Sequence, residues 1–223
     1  MREVEPAEGA EGAAAGEEHL LCARCDERLA HDDNYALQLA FVDGDAAILT
    51  DLEPIEEASE GLTSLCVLSS SIERDRLCRF AASVLWRAHI ASSVPNCDVG
   101  ERYAADLRAY LNGQGAFPEH LYLTLIVHLP APDGRNIIGE LLQTPRSSRQ
   151  RGYYWHSFAV CGLQFLFTAG KESPEPQRTL CLKRARQPYF VASGVDNERG
   201  MLTERTQGIR PTRKLARWLM ING

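Results

Sequence analysis

The chain has 223 residues, of which 44% are apolar and 24% charged, and its formal net charge is −6. These proportions exclude a wholly disordered or collagen-like chain. No apolar run approaches the ~20 residues that span a bilayer, so no membrane partner is expected. The opening MREVEPAEGAEGAAAGEEH lacks the basic start and apolar centre of a secretory signal, and seven scattered cysteines are not a disulfide framework. A reducing, cytoplasmic location is therefore expected.

The net charge hides an asymmetry. Residues 1–60 carry 3 basic and 17 acidic side chains, whereas residues 134–223 carry 15 basic and 6 acidic. Nucleic-acid binding is decided by local basic surface rather than by overall pI, so the basic third makes nucleic acid a candidate partner. The acidic quarter is a candidate surface for a protein partner, or a cover for the chain's own basic part. Two solvated faces of opposite charge would give the same composition.

Residues 1–18 are rich in Ala, Gly and Glu with little to bury, and read as a disordered acidic lead. From Cys25 the spacing predicts a short helix with Leu29, Ala36, Leu37 and Ala40 inward and Arg28, Asp32 and Gln38 outward. An acidic linker runs on to about residue 61, interrupted by Pro54. Residues 62–70, LTSLCVLSS, read as a buried extended segment or the approach to a helix. The clearest helix lies within 71–93, with Ser71 as its cap and Leu77, Phe80, Ala81, Val84, Leu85 and Ala88 forming one apolar stripe. A second helix fits 100–112, stopped by Gly113.

After that the period changes. Segments 120–129, 136–143, 153–160, 163–169 and 179–185 are short, apolar or alternating, and Cys161-Gly162 marks a tight hairpin. A terminal helix is expected over 212–221. The whole predicts an α+β fold, with N-terminal helices followed by a mostly antiparallel sheet and a terminal helix. It divides into a lead (1–18), a knuckle helix with acidic linker (19–61) and an α+β domain (62–223).

The most chemical stretch is HLLCARCDERLAHDDNYALQLA, residues 19–40. Zinc in structural sites takes four thiolates or imidazoles at tetrahedral corners, and C-x-x-C lets two sulfurs reach one ion. Cys22 and Cys25 sit where a helix begins, as in the helical half of a treble-clef knuckle, and free N–H groups there favour thiolate. Residues 1–21 hold no cysteine to supply the other half. His19 and His31 complete a Cys2His2 count, but His31 lies almost two helical turns beyond Cys25. Zinc is the implied cofactor, in an incomplete site. A redox C-x-x-C would require a preceding thioredoxin-type strand, and no βαβ pattern surrounds it.

HLLCARCDERLAHDDNYA, followed some forty residues later by LCRFAASVLWRAHIASS, resembles the C-terminal portion of a bacterial HNH-endonuclease-like family. The resemblance covers roughly residues 19–170 and is carried by a C-x-x-C opening a helix, a helix ending in Trp86-Arg87, and the hairpin YYWHSFAVCGLQFLFTAG. It implies zinc ligation by Cys22 and Cys25. In such families an earlier C-x-x-C completes the zinc site, and a histidine on the adjoining hairpin activates water for phosphodiester cleavage. Neither has a counterpart here, so the resemblance assigns no catalytic residue. Either the start is assigned too late and the missing half lies upstream, or the half has been lost.

TPRSSRQRGYYWH reads as a basic loop entering aromatics, which suits a nucleic-acid strand because cations hold the backbone and rings stack on bases. Arg146, Arg149 and Arg151 are its candidates, with Lys183, Arg184 and Arg186 in the later KRAR cluster. The same alternation also fits a half-buried strand with His156 on its exposed face. Trp86 reads as packing with Arg87 bridging to a carboxylate, and His89 and His128 as core or boundary residues. No Walker loop, G-x-G-x-x-G, H-E-x-x-H or G-x-S-x-G is present, so nucleotide hydrolysis, dinucleotide binding, zincin and serine-hydrolase chemistry have no motif. The function expected is an HNH-nuclease-related, nucleic-acid-associated protein whose enzymatic status is open. The alternative is a non-catalytic interaction or regulatory protein using its acidic part as partner surface.

Overall fold

The computed structural model describes residues 20–39, 41–42, 45–46, 54–57, 63–67, 70–128, 142–150, 152–171, 178, 180–184 and 189–193. The acidic lead, Ala40, most of the linker, residues 136–141 and the expected terminal helix lie outside them.

The stripe at i, i+3, i+4 and i+7 in residues 77–88 forms α2 (Arg74–Ile90). Its buried set is wider than one stripe, taking in Cys78, Ala82 and Ser83, because α2 packs on both sides. Ser71 is not the cap. The helix starts after Glu73, whose N–H donates to Tyr35 Oη of α1 (Ala23–Leu39) at 2.6 Å, so a neighbouring helix fixes the entry. In α1, Leu29, Asp32, Ala36 and Leu39 turn inward while Leu37 is 44% exposed. The sequence placed Asp32 outward and Leu37 inward. The carboxylate is buried because Arg79 Nε donates to it at 2.9 Å and Arg76 Nε lies 3.6 Å away.

About two turns beyond Arg79 on α2, Arg87 Nη2 reaches Asp33 Oδ1 at 2.9 Å, the carboxylate bridge expected of Arg87. The third helix, α3 (Glu101–Leu111), is tied to α1 by Arg28 Nη2 donating to Asn112 Oδ1 at 2.6 Å. Gly113, at φ 72°, ends it in a backbone conformation that suits glycine.

The strands are β1 (Phe41–Val42), β2 (Asp45–Ala46), β3 (Pro54–Glu57), β4 (Thr63–Val67), β5 (Leu121–His128), β6 (Leu142–Gln150), β7 (Tyr153–Val160), β8 (Leu163–Ala169) and β9 (Tyr189–Ser193). β1 and β2 form a small ribbon. The others make one sheet in the order β3-β4-β9-β5-β8-β7-β6, antiparallel at every junction except β5–β9. The architecture is α+β, with only β3 and β4 of the main sheet preceding α2 in the chain.

Two sequence assignments change. The basic loop before Tyr153 is β6 itself, paired with β7 from Leu142↔Val160 to Gln150↔Tyr153. Residues 180–184 are turns rather than a strand, docked on β5 by Leu182 N–H donating to Leu123 O at 2.7 Å.

The core lies between α2 and one face of the sheet. Leu121, Leu123, Leu125 and Val127 alternate along β5 and face Ala169, Phe167, Phe165 and Leu163 across the ladder to β8. Phe80 meets Phe165 edge-on with centroids 5.3 Å apart, and Phe158 stacks on Phe165 at 5.0 Å. Such burial and ring geometry supply most of the stabilisation in a domain of this kind.

Candidate functional site

Cys22 occupies the N-cap of α1: its carbonyl accepts from the N–H groups of Cys25 at 2.9 Å and Asp26 at 3.0 Å. Its thiol caps the same turn. A hydrogen bond from the Cys25 backbone N–H, joined by one from the Cys25 thiol, holds the Cys22 thiol below the ordinary thiol range. That shared bond moves Cys25 the other way, upward. Cys22 is exposed and Cys25 partly so. An accessible sulfur with a second in the same helical turn is the donor chemistry a zinc ion draws on.

The two cysteines open onto a cavity of about 400 Å³ whose apolar wall includes Leu20, Leu21, Trp86 and Ile90. Among the described residues, Arg28 and Arg108 are its charged members and no carboxylate lines it. Trp86, read from the sequence as packing, lies one turn from Ile90 on α2. Nevertheless Ile90 is 40% exposed, which marks an apolar wall that the described residues do not cover. Among the described residues no three His, Cys, Asp or Glu side chains gather as a metal site, and His31 is exposed on α1, its carbonyl taken by Arg76. Cys22 and Cys25 are the described residues that would hold a zinc ion; His19 lies outside the described residues.

The basic candidates separate. Arg146 and Arg149 are exposed on β6, and the Arg149 guanidinium lies 5.4 Å from the ring centroid of Tyr154, which is 49% exposed. Lys183 Nζ is engaged by Asp75 at 2.6 Å. Arg184 donates to the carbonyls of Leu121 and Pro118 and stacks near Tyr122 and Phe117. Lys183 is thus paired with an exposed carboxylate, and Arg184, itself exposed, is anchored to backbone carbonyls. Arg151 and Arg186 lie outside the described residues.

His156 is not on an exposed face. It alternates with Phe158 on the face of β7 that meets α2 and is 1% exposed, which pushes its pKa down to about 4. Its Nδ1 lies 2.7 Å from Ser147 Oγ. That hydroxyl donates to Asp98 O at 2.9 Å and accepts from Asp98 N–H at 2.9 Å, so the remaining bond runs from a protonated Nδ1 to Oγ. Ser147 is therefore saturated and held as a staple between β6 and the 96–98 loop, not poised as a nucleophile. His128, also buried, lies with Nε2 3.0 Å from Gln164 Oε1 and belongs to the sheet, while His89 Nδ1 is 3.4 Å from Asp98 Oδ1.

No family model, curated protein or solved structure matches the chain. Among the described residues no helix is long and apolar enough to cross a membrane.

Proposed function

We propose that this chain is a relative of HNH nucleases that holds zinc through Cys22 and Cys25 as one half of a knuckle and associates with nucleic acid. The supporting observation is the pair of cysteines at the N-cap and first turn of α1, at the mouth of an apolar cavity that the described residues leave open. In a treble clef the space beside the helical pair seats the hairpin that supplies the other two ligands. A structural zinc bound there would neutralise both thiolates and lock the turn. Phosphodiester cleavage would further need a histidine base and a divalent ion at the scissile phosphate, and no residue of this chain is assigned to either role.

Nucleic acid would meet the β6–β7 hairpin, where Arg146 and Arg149 supply charge and Tyr154 supplies a ring. Retention of the 223-residue chain on a DNA column should fall steeply with added salt. The Arg146→Ala, Arg149→Ala double variant should lower the slope of log affinity against log salt by about 2. Absence of retention at low salt would remove the nucleic-acid part of the proposal.

A further inference from the structure

The β6–β7 register sorts the side chains of this hairpin by face. Arg149 stands opposite Tyr154 and Ser147 opposite His156, so these four share the side on which Phe158 meets Phe80 of α2. Arg146 stands opposite Ser157 and Ser148 opposite Trp155. Arg146 is therefore on the other side, with half-buried Trp155 as its diagonal neighbour. β6 is the last strand of the sheet, so the two exposed guanidinium groups flank one edge, about 10 Å apart along the strand. Tyr154 lies past the cover that α2 gives this face: it is 49% exposed, whereas His156 is 1% exposed. The edge is occupied at one point, where Ser147 N–H donates to Asn96 O at 2.7 Å and Ser147 Oγ to Asp98 O. The Asp98 carboxylate there is exposed and repels an anion, so an anionic chain would cross the edge on the Arg149 side of Ser147.

We infer that the nucleic acid taken by this hairpin is single-stranded, its backbone passing round the β6 edge from Arg149 to Arg146 and one base stacking on Tyr154. The inference rests on the nucleic-acid reading proposed above. An exposed ring gains stacking energy only from a base whose face is free, and the bases of a duplex offer side chains only their groove edges. The Arg149 guanidinium, 5.4 Å from the Tyr154 centroid, extends the platform, because its planar group stacks on bases as a ring does. A duplex, with a persistence length of about 150 bp, is too stiff to fold round an edge one strand wide. Two cations on opposite faces of that edge suit a flexible strand.

The test titrates the full chain at low salt into three labelled probes of equal length and reads fluorescence anisotropy. The probes are oligothymidylate, an abasic strand and a mixed-sequence duplex. Oligothymidylate should bind about tenfold more tightly than either of the others. Tyr154→Leu should remove that advantage and leave the abasic strand and the duplex unchanged, while Tyr154→Phe should keep it. Arg146→Ala and Arg149→Ala should each weaken the oligothymidylate complex. A duplex bound as tightly as oligothymidylate overturns the inference and leaves the nucleic-acid reading standing. So does an abasic strand bound as tightly, a preference that survives Tyr154→Leu, or an Arg146→Ala without effect. Failure of all three probes to bind overturns the inference together with the nucleic-acid reading.

Discussion

At the scale of single residues, buried polar groups set the most specific expectations. His156 has its pKa lowered from 6.5 to about 4, chiefly by burial, with Asp98 and His89 as its charged or titratable neighbours. The folded chain therefore binds this proton less readily than the unfolded chain. Stability from this group is complete above pH 6.5 and declines as pH falls toward 4, a loss on the order of 3 kcal/mol once both states are protonated. Thermal melts of His156→Phe should show a flatter acid limb between these values; an unchanged limb would show that the group does not carry the dependence. Asp32 is the second such residue. Asp32→Ala leaves Arg76 and Arg79 facing each other without their carboxylate and should cost about 2 kcal/mol in urea unfolding, the arginines' partial exposure limiting the loss.

Elements explain what the sequence could and could not convey. The β7–β8 hairpin was legible because its turn chemistry is local: Cys161 sits at φ 43° and Gly162 at φ 84°, both in the left-handed region. Cys161 is a poor residue for that position, so Cys161→Asn should raise stability by about 0.5–1 kcal/mol, and Gly162→Ala should lower it by about 1–2 kcal/mol. Denaturant melts decide both; a neutral Gly162→Ala would contradict the turn geometry. The central helix was legible for a different reason, the length of its apolar repeat. Asp32 was not. A carboxylate at an inward helical position resembles an error until the arginines of α2 are seen across from it, and their separation of more than forty residues leaves no trace in local periodicity. His156 failed in the same way, since alternation located the strand but not which face α2 would cover.

Across the whole molecule, charge segregation proved a partial guide. Part of the acidic quarter is consumed internally, with Asp32 and Asp33 pairing with α2, and part of the basic cluster is engaged, with Lys183 held by Asp75 and Arg184 by backbone carbonyls. Arg146 and Arg149 lie exposed beside Tyr154, on a hairpin far in sequence from the cysteine turn. The cavity at that turn could not be read from spacing at all. Its walls come from the start of α1, the end of α2 and the end of α3, three stretches that only the packing of the helices brings together.

Zinc bound by the reduced 223-residue chain, titrated against a competing chromophoric chelator, bears most directly on the two-ligand knuckle. The expected result is weak binding that Cys22→Ser abolishes, with less than one equivalent remaining after dialysis against a weak chelator. One full equivalent surviving that dialysis, or binding unchanged in Cys22→Ser, would contradict it.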